Sequence, residues 1–270
     1  TMSQPLLIGV DLGTTQTKTG LFDLDGNLLA LARARYPILT AEDPRWAEQD
    51  PLAWWAAIAA SIKEVRDVAR NVSAQGEVIA LCCGGQSPTL VMTDESGQPL
   101  YNAILWMDTR TQDEQAYLTE RIGAAGGGWS FLPKALWLKR HRPDQYARAR
   151  WFFSAWDFIA FRLCGRAVTS VQWGRQPMAA EVIERAELNP ALFPSACVAG
   201  TIIGHVTPQA AAETGLPRGL PIVAGVNDGT ESFVGAGLAV EGRAVDTGGT
   251  SGGFGLCWDT PLKGPGVMGG

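Results

Sequence analysis

The sequence predicts an α/β fold in which a mixed sheet is flanked by helices, and three stretches carry this prediction. Leu6 to Phe22 reads as a β-hairpin, because an apolar run turns through a Gly-Thr-Thr segment and resumes as a second apolar run. Asp50-Pro51 is a helix start, and apolar residues then recur at helical spacing as far as Ala69. The apolar run Glu77 to Cys83 predicts a buried strand, parallel to the first because a helix crosses between them.

The remaining segments continue the alternation of strands and helices. The turn Asp25-Gly26-Asn27 leads into a third antiparallel strand over 28–36, so the chain opens with a three-stranded meander. We also predict a second hairpin over 90–106, helices over 109–122, 133–141, 151–163 and 206–214, a buried strand over 222–225, a helix beginning near Thr230 and a strand pair beginning at Ala244.

Composition and charge argue against several classes of protein. Lys and Arg number 22 against 27 Asp and Glu, a net charge of −5, which disfavours a nucleic-acid partner. Five cysteines without a CxxC arrangement suit a reducing compartment rather than a disulfide framework. No apolar run reaches the ~18 residues of a membrane span, and no signal-peptide pattern is present. We therefore expect a cytoplasmic protein that does not bind a membrane.

The turn of the opening hairpin has the residue types of a phosphate site. Asp11 ends the first strand, where a carboxylate can hold a hydrated Mg²⁺, and Gly13 lets the turn expose backbone N–H groups. Lys18 supplies a cation for the phosphate charge. The turn also has three hydroxyl donors, Thr14, Thr15 and Thr17. An ordinary Asp-Gly hairpin turn with exposed threonines explains the same spacing, so this motif alone does not decide.

Two further strand ends carry polar residues. The segment Gly84-Gly85-Gln86 follows one buried strand, and Asp228 follows another. Because ligands of open α/β sheets bind at the carboxyl ends of strands, we expect both to converge with Asp11. Asp228 can alternatively be the N-cap of the helix that follows it, and the two roles are compatible.

These residues resemble a known family. The segment GVDLGTTQTK at 9–18 is similar to the first phosphate motif of the actin, hexokinase and heat-shock chaperone superfamily. The chain resembles the amino-terminal lobe of the FGGY carbohydrate kinases in that superfamily, and the xylulose-kinase-like members among them. Further similar signatures occur in the family's order at 46–55, 103–110, 134–138, 222–228 and 246–252. The resemblance covers Leu6 to Gly253, and this collinearity is more specific than any single motif.

The resemblance implies a ribonuclease-H-like lobe and ATP-dependent phosphorylation of a sugar or polyol hydroxyl. Asp228 matches the family's general base, and Asp11 matches the residue that organises Mg²⁺. The contacts to ATP are matched by Gly13, Thr14, Thr15, Lys18, Gly249 and Thr250. These residue types suit phosphoryl transfer, which needs positioning, charge neutralisation and one base.

For the substrate, the resemblance implies contacts from Gln86, Ser87 and Trp106, with Asp228 beside them. Trp106 matches a position where an aromatic face packs on the carbohydrate, but core packing is an open alternative in a chain with ten tryptophans. Asp108 and Arg110 read as an ion pair near the rim of the site, or as an ordinary surface pair.

The loop after Gln86 departs from the best-known members of the family. Glycerol kinases have an Arg-Glu pair after the glutamine and xylulose kinases have Met-His, whereas Ser87-Pro88 follow here. This difference disfavours glycerol and leaves a pentulose open. The sequence therefore defines the reaction class better than the substrate.

The resemblance also divides the chain into two parts. Residues 6–243 match the sugar-binding domain, and 244–270 match the start of a carboxy-terminal nucleotide-binding domain. Because family members hold ATP and sugar between two lobes, we expect the 270-residue chain alone to be inactive as a kinase. A homodimer is left open. The alternative to an enzyme is a non-catalytic nucleotide- or sugar-binding protein of the same fold.

Overall fold

The structure, a computed structural model, describes residues 4–40, 43–72, 76–127, 130–172, 177–248, 253–260 and 264. In these ranges the strands are β1 (Gln4–Leu12), β2 (Gln16–Asp23), β3 (Leu28–Arg35), β4 (Leu39–Thr40), β5 (Ala47–Gln49), β6 (Gly76–Gly85), β7 (Leu90–Thr93), β8 (Ala103–Ile104), β9 (Trp151–Ser154), β10 (Val168–Val171), β11 (Ser195–Val198), β12 (Ile202–His205), β13 (Pro221–Asn227), β14 (Ala244–Asp246) and β15 (Phe254–Leu256). The helices are α1 (Pro51–Val72), α2 (Gln112–Ile122), α3 (Leu132–His141), α4 (Pro143–Ala147), α5 (Ala155–Cys164), α6 (Ala180–Arg185), α7 (Pro208–Thr214) and α8 (Asp228–Gly235). No helix within the described ranges is long and apolar enough to cross a membrane.

The main sheet is mixed, which confirms the prediction from sequence. Within the described residues its strand order is β12-β13-β6-β1-β2-β3. β1 and β2 form the predicted antiparallel hairpin, with Asp11 opposite Lys18. β6 runs parallel to both β1 and β13, as the crossing helices require. The carboxyl ends of these three strands therefore lie along one edge of the sheet.

The two faces of this sheet have different roles. The buried side chains of β1, from Leu6 to Leu12 at every second position, pack with α1 and α5 in one core cluster. Trp54 and Ile58 of α1 are completely buried in it, and each such side chain stabilises the fold by roughly 1.5–3 kcal/mol. Asp11 lies on the opposite face, where α8 packs against β13 and β6.

A second sheet supports the loop that contains Trp106. Its order is β4-β5-β8-β7-β9 in the described part of the chain. The predicted hairpin over 90–106 is only partly right, because β7 and β8 share the single pair Leu90 and Ile104. β7 instead pairs along its length with β9. Side chains of α3, among them Leu136 and Trp137, cover this sheet.

The predicted helix over 151–163 is wrong at its start. Trp151–Ser154 form β9, and α5 begins at Ala155. The Ser154 hydroxyl caps the helix by accepting a hydrogen bond from the Asp157 backbone N–H at 3.2 Å. Gly165 ends it in the left-handed conformation, with φ at 71°. A short aromatic run suits a buried strand and a buried helix equally, so its composition did not separate the two. The other predicted elements are present, with their ends shifted by a few residues. The predicted burial of the strand over 77–83 is only partly right, because Ile79 is 40% exposed and β6 is buried mainly from Leu81 onward.

Asp157 is a buried carboxylate that joins α5 to β10. It accepts hydrogen bonds from the hydroxyls of Thr169 at 3.1 Å and Ser170 at 2.9 Å. Burial raises the pKa of Asp157 to about 6, although these hydrogen bonds oppose the rise. Since this pKa is higher in the folded protein than in the unfolded chain, the folded state binds the proton more tightly. The free energy of unfolding therefore falls as the pH rises from about 4 through about 6.

We expect Asp157 to contribute a fall of roughly 3 kcal/mol in the unfolding free energy across that pH range. Asp157→Asn removes the titrating group, so its unfolding free energy should depend less on pH than that of the wild type. Urea unfolding of both proteins between about pH 4 and pH 8 measures the difference. Parallel curves for the two proteins would show that Asp157 does not titrate in this way.

Candidate active site

Three chain segments meet at the carboxyl edge of the main sheet. In the parallel pairing of β1 with β6, Asp11 lies opposite Gly84. In the pairing of β13 with β6, Asn227 lies opposite Gly85. The strand register thus brings together the turn after β1, the loop after β6 and Asp228 after β13. The predicted convergence of these segments is confirmed.

The turn between β1 and β2 presents a pair of opposite charges to solvent. Lys18 Nζ lies 3.0 Å from Asp11 Oδ2, with the side chains 46% and 39% exposed. An exposed ion pair of this kind adds little to the stability of the fold. Lys18 and Asp11 can therefore separate and pair with the charges of a ligand at little cost in free energy. A Cβ on Gly13 would lie 3.0 Å from the Gln16 carbonyl oxygen, which explains glycine at the tightest point of the turn.

The three threonines of this turn are not equivalent. Thr15 is exposed, and Thr14 is half-buried. Thr17 is completely buried, and its hydroxyl donates a hydrogen bond to the Asp11 carbonyl oxygen at 3.1 Å. The prediction that Thr17 donates to a phosphate is therefore wrong. Side chains alternate along a strand, and Thr17 follows the inward-facing set of β2 while Lys18 faces solvent.

A closed ring of hydrogen bonds holds Trp106 beside the phosphate turn. Gln49 Nε2 donates to the Thr14 carbonyl oxygen at 2.7 Å, and Gln86 Nε2 donates to Gln49 Oε1 at 3.1 Å. The Thr89 hydroxyl donates to Gln86 Oε1 at 3.4 Å and accepts from the Trp106 backbone N–H at 3.1 Å. The Trp106 indole N–H closes the ring by donating to Thr14 Oγ1 at 2.9 Å.

This ring determines where the predicted substrate residues lie. Trp106 is 43% exposed, so the alternative of core packing is wrong for this tryptophan. Gln86 is buried within the ring, and Ser87 is half-buried. Direct contacts from Gln86, Ser87 and Trp106 to a substrate stay predictions. Sequence reasoning missed Gln49 as a site residue, although it lies inside the family-like segment at 46–55 and could have been found there.

Asp108 and Arg110 form the predicted ion pair, but the pair is buried, so its interpretation as an ordinary surface pair is wrong. Arg110 Nη2 lies 2.6 Å from Asp108 Oδ2, and the two side chains are 1% and 0% exposed. Arg110 Nη1 also contacts Glu48 Oε1 at 2.6 Å, and its guanidinium stacks 3.9 Å from the centre of the Trp46 ring. The local sequence gives no sign of this burial, because the side chains that cover Arg110 come from distant elements, among them Glu48 of β5 and Trp137 of α3. Because Arg110 contacts Glu48 of β5, the pair connects the loop that contains Trp106 to the second sheet.

Asp228 is the first residue of α8, and it is exposed. Its interpretation as the helix cap is wrong, because Asn227 is the N-cap and accepts a hydrogen bond from the Thr230 backbone N–H at 2.9 Å. The Asp228 carboxylate accepts one from the Gly229 backbone N–H at 2.8 Å. Its remaining lone pairs are open to a ligand at this sheet edge.

The charged pair of the phosphate turn affects the pKa of Asp228. Partial desolvation raises the pKa of Asp228 above its usual value. The negative charge of Asp11 adds to the rise, and the positive charge of Lys18 opposes it. The arrangement thus combines a carboxylate with increased proton affinity, a cation and a turn of backbone N–H groups.

Two predicted phosphate contacts, Gly249 and Thr250, lie outside the described residues. The strand pair that begins at Ala244 is present, with β14 antiparallel to β15. The assignment of 244–270 to a second domain stays a prediction.

Known proteins share this fold and this order of segments. The model of the FGGY family of carbohydrate kinases, N-terminal domain, matches residues 6–235. The chain belongs to this family. Xylulose kinase from Bacillus subtilis (strain 168) is 29% identical over 264 residues, which are 91% of this chain and 52% of that protein.

Solved structures agree with this assignment. Xylulose kinase from Rhodospirillum rubrum superimposes with a TM-score of 0.82 at 27% identity, covering 89% of this chain and 52% of that one. Gluconate kinase from Lactobacillus acidophilus has a TM-score of 0.82 at 23% identity, over 96% and 55%, which supports the fold alone. The predicted lobe of the actin and hexokinase type is confirmed. The chain spans about half the length of the curated relatives it matches.

Proposed function

We propose that the full-length protein transfers the γ-phosphoryl group of ATP to a hydroxyl of a sugar or polyol. The proposal rests mainly on the exposed Asp228 carboxylate at the start of α8, which lies at the same edge of the sheet as Asp11 and Lys18 because β1 and β13 both pair in parallel with β6. Membership of the FGGY family supports it, since relatives named xylulose kinase match along this chain.

In this proposal Asp228 is the general base. It accepts the proton of the substrate hydroxyl while the hydroxyl oxygen bonds to the γ-phosphorus. The bond from that phosphorus to the β-phosphate oxygen breaks, and ADP leaves with its electron pair. A pKa above the usual value strengthens Asp228 as a proton acceptor. Lys18 and the backbone N–H groups of the Gly13 turn neutralise phosphate charge.

Asp11 fits a bound Mg²⁺. Mg²⁺ in phosphoryl-transfer sites takes one or two carboxylates and completes its shell with phosphate oxygens and water. Asp11 offers such a carboxylate, partly exposed at the sheet edge beside the phosphate turn. When bound there, the ion would neutralise the charge that develops on the phosphates.

The experiment that tests the proposal is ADP release by the full-length protein with a panel of ketopentoses, ketohexoses, polyols and aldonates. A kinase releases ADP only when one of these acceptors is present. A non-catalytic binding protein of the same fold would release none with any of them, and ATP turnover independent of sugar would indicate an ATPase. Either of the last two results contradicts the proposal. The Ser87-Pro88 loop predicts that glycerol is a poor acceptor.

Trp106→Ala is expected to raise the KM for the sugar on the order of tenfold, equivalent to about 1.4 kcal/mol of lost contact. The melting temperature should change little, because the indole is 43% exposed. Trp54→Ala is the matched control for a core tryptophan, since Trp54 is 0% exposed and its loss should cost about 3–5 kcal/mol. Trp106→Phe keeps an aromatic face and should retain a lower KM than the alanine variant. An unchanged KM in Trp106→Ala would remove Trp106 from the sugar site.

A further inference from the structure

Glu231 lies one helical turn after Asp228, with its carboxylate wedged between α8 and the main sheet. Glu231 Oε1 accepts a hydrogen bond from the Val226 backbone N–H at 3.2 Å. This contact connects the first turn of α8 back to the strand that precedes it, across the Asn227 cap. The contact also satisfies a backbone N–H at the junction of strand and helix.

Two glycines leave the space that this carboxylate occupies. A Cβ built on Gly84 of β6 would lie 1.8 Å from Glu231 Oε2 and 2.3 Å from Oε1. A Cβ on Gly225 of β13 would lie 2.9 Å from Glu231 Oε1 and 2.1 Å from the Cys83 carbonyl oxygen. Any larger residue at Gly84 would therefore displace the carboxylate. The Glu231 carboxylate thus requires glycine at position 84 of β6, whereas the Cys83 carbonyl oxygen is the nearer reason for glycine at position 225 of β13.

The surroundings of Glu231 are unfavourable for a negative charge. Burial is the largest reason why the pKa of Glu231 rises to about 7, and the charges of Asp11 and Asp228 add to the rise. The nearby groups of β6 are the thiols of Cys82 and Cys83, whose own pKa values are raised by burial. The charged form of Glu231 is therefore disfavoured at this position, and carboxyl groups perturbed in this way occur preferentially at functional sites.

We propose that Glu231 is a positioning residue that fixes the first turn of α8, and with it the Asp228 carboxylate, against the ends of β6 and β13. The role of Asp228 in this inference rests on the proposed function. Glu231 holds the turn by packing against Gly84 and by accepting the hydrogen bond from the Val226 N–H. It does not itself take part in the phosphoryl transfer. A second contact to the same turn comes from the Gln172 side chain, which donates a hydrogen bond to the Thr230 hydroxyl.

The test compares three variants of the full-length protein. Glu231→Ala removes the wedge and should lower kcat by roughly tenfold to a hundredfold, with the KM values for sugar and ATP changed little, because a displaced base slows chemistry more than binding. Glu231→Gln keeps the shape and the acceptor for the Val226 N–H, so it should recover most of kcat. Gly84→Ala displaces the carboxylate from the other side and should resemble Glu231→Ala.

The double variant Glu231→Ala/Gly84→Ala separates this mechanism from two independent defects. In the double variant the added Cβ at position 84 has no carboxylate to displace. The double variant should therefore lose no more kcat than Glu231→Ala alone. Additive losses, or a Glu231→Ala variant with the kcat of the wild type, would overturn the inference. A glutamine variant as slow as the alanine variant would also contradict a geometric role.

A readout independent of catalysis distinguishes failure of this inference from failure of the proposed function. Hydrogen exchange of the Val226, Gly229 and Thr230 amides should be faster in Glu231→Ala than in the wild type and nearly unchanged in Glu231→Gln. If the wild type phosphorylates no sugar but the exchange rates follow this order, the proposed function fails and the positioning of the turn stands. Unchanged exchange in Glu231→Ala overturns the inference whether or not the protein is a kinase.

Discussion

Asp228→Asn in the full-length protein is expected to lower the rate of sugar phosphorylation by about 10²–10⁴-fold, the range that general bases contribute. Asparagine keeps the size of the side chain but cannot accept the proton of the attacking hydroxyl. The helix should remain intact, because Asn227 supplies its cap. Nucleotide and sugar affinities should therefore stay near those of the wild type, and steady-state kinetics with separate binding titrations measure both.

Asp25→Asn is the matched control for this substitution. Asp25 is an exposed aspartate in the turn between β2 and β3, at the opposite end of the sheet from the candidate site. We expect it to leave kcat and KM unchanged. An Asp228→Asn enzyme that retains more than about a tenth of the wild-type turnover would show that Asp228 is not the base.

Arg110→Ala is expected to lower the free energy of unfolding by about 3–5 kcal/mol, because it leaves the buried Asp108 carboxylate without its partner. Arg110→Lys should recover little of this loss. Arg110 donates to the Asp108 carboxylate from both Nε, at 2.9 Å, and Nη2, at 2.6 Å. A lysine ammonium cannot reproduce this paired contact together with the contact to Glu48 and the stacking on Trp46. Denaturant unfolding monitored by tryptophan fluorescence and circular dichroism measures these differences.

A second Arg–Asp pair with the same spacing lies at the surface and serves as a matched control for the effect of burial. Arg45 and Asp43 are also two residues apart, and their Nη2 and Oδ2 atoms are also 2.6 Å apart, but the side chains are 62% and 33% exposed. Arg45→Ala should leave the unfolding free energy almost unchanged, because solvent replaces the lost partner. Equal effects of the two alanine variants would show that burial does not determine the importance of the Arg110 pair.

The main sheet could be predicted because its signals are local. Gly13 marks the hairpin turn, Asp50-Pro51 marks the start of α1, and the apolar run before Gly84 marks a strand. Each of these depends on neighbours within a few residues. The strand β9 was missed although a local signal exists, since Ser154 and Asp157 have the spacing of a helix cap.

The parts of the site that could not be predicted depend on contacts between distant segments. The hydrogen-bond ring joins Thr14, Gln49, Gln86 and Trp106, which no local pattern connects. The inward direction of Thr17 follows from the register of β2, and a shift of one residue would have reversed it. The wedge of Glu231 on Gly84 requires the packing of α8 on the sheet. The residue types of the site were thus recognisable in sequence, whereas their partners were not.

The decisive observation for a kinase with Asp228 as its base is the transfer of the phosphoryl group itself. Phosphorus NMR of the full-length protein with Mg-ATP and the acceptor selected by the sugar panel follows the fate of the γ-phosphoryl group. We expect the γ signal of ATP to be replaced by an equal amount of a sugar phosphomonoester, and Asp228→Asn to slow this conversion by about 10²–10⁴-fold. Release of inorganic phosphate without a phosphomonoester would show that the protein is not a sugar kinase, and conversion at equal rates in both proteins would show that Asp228 is not its base.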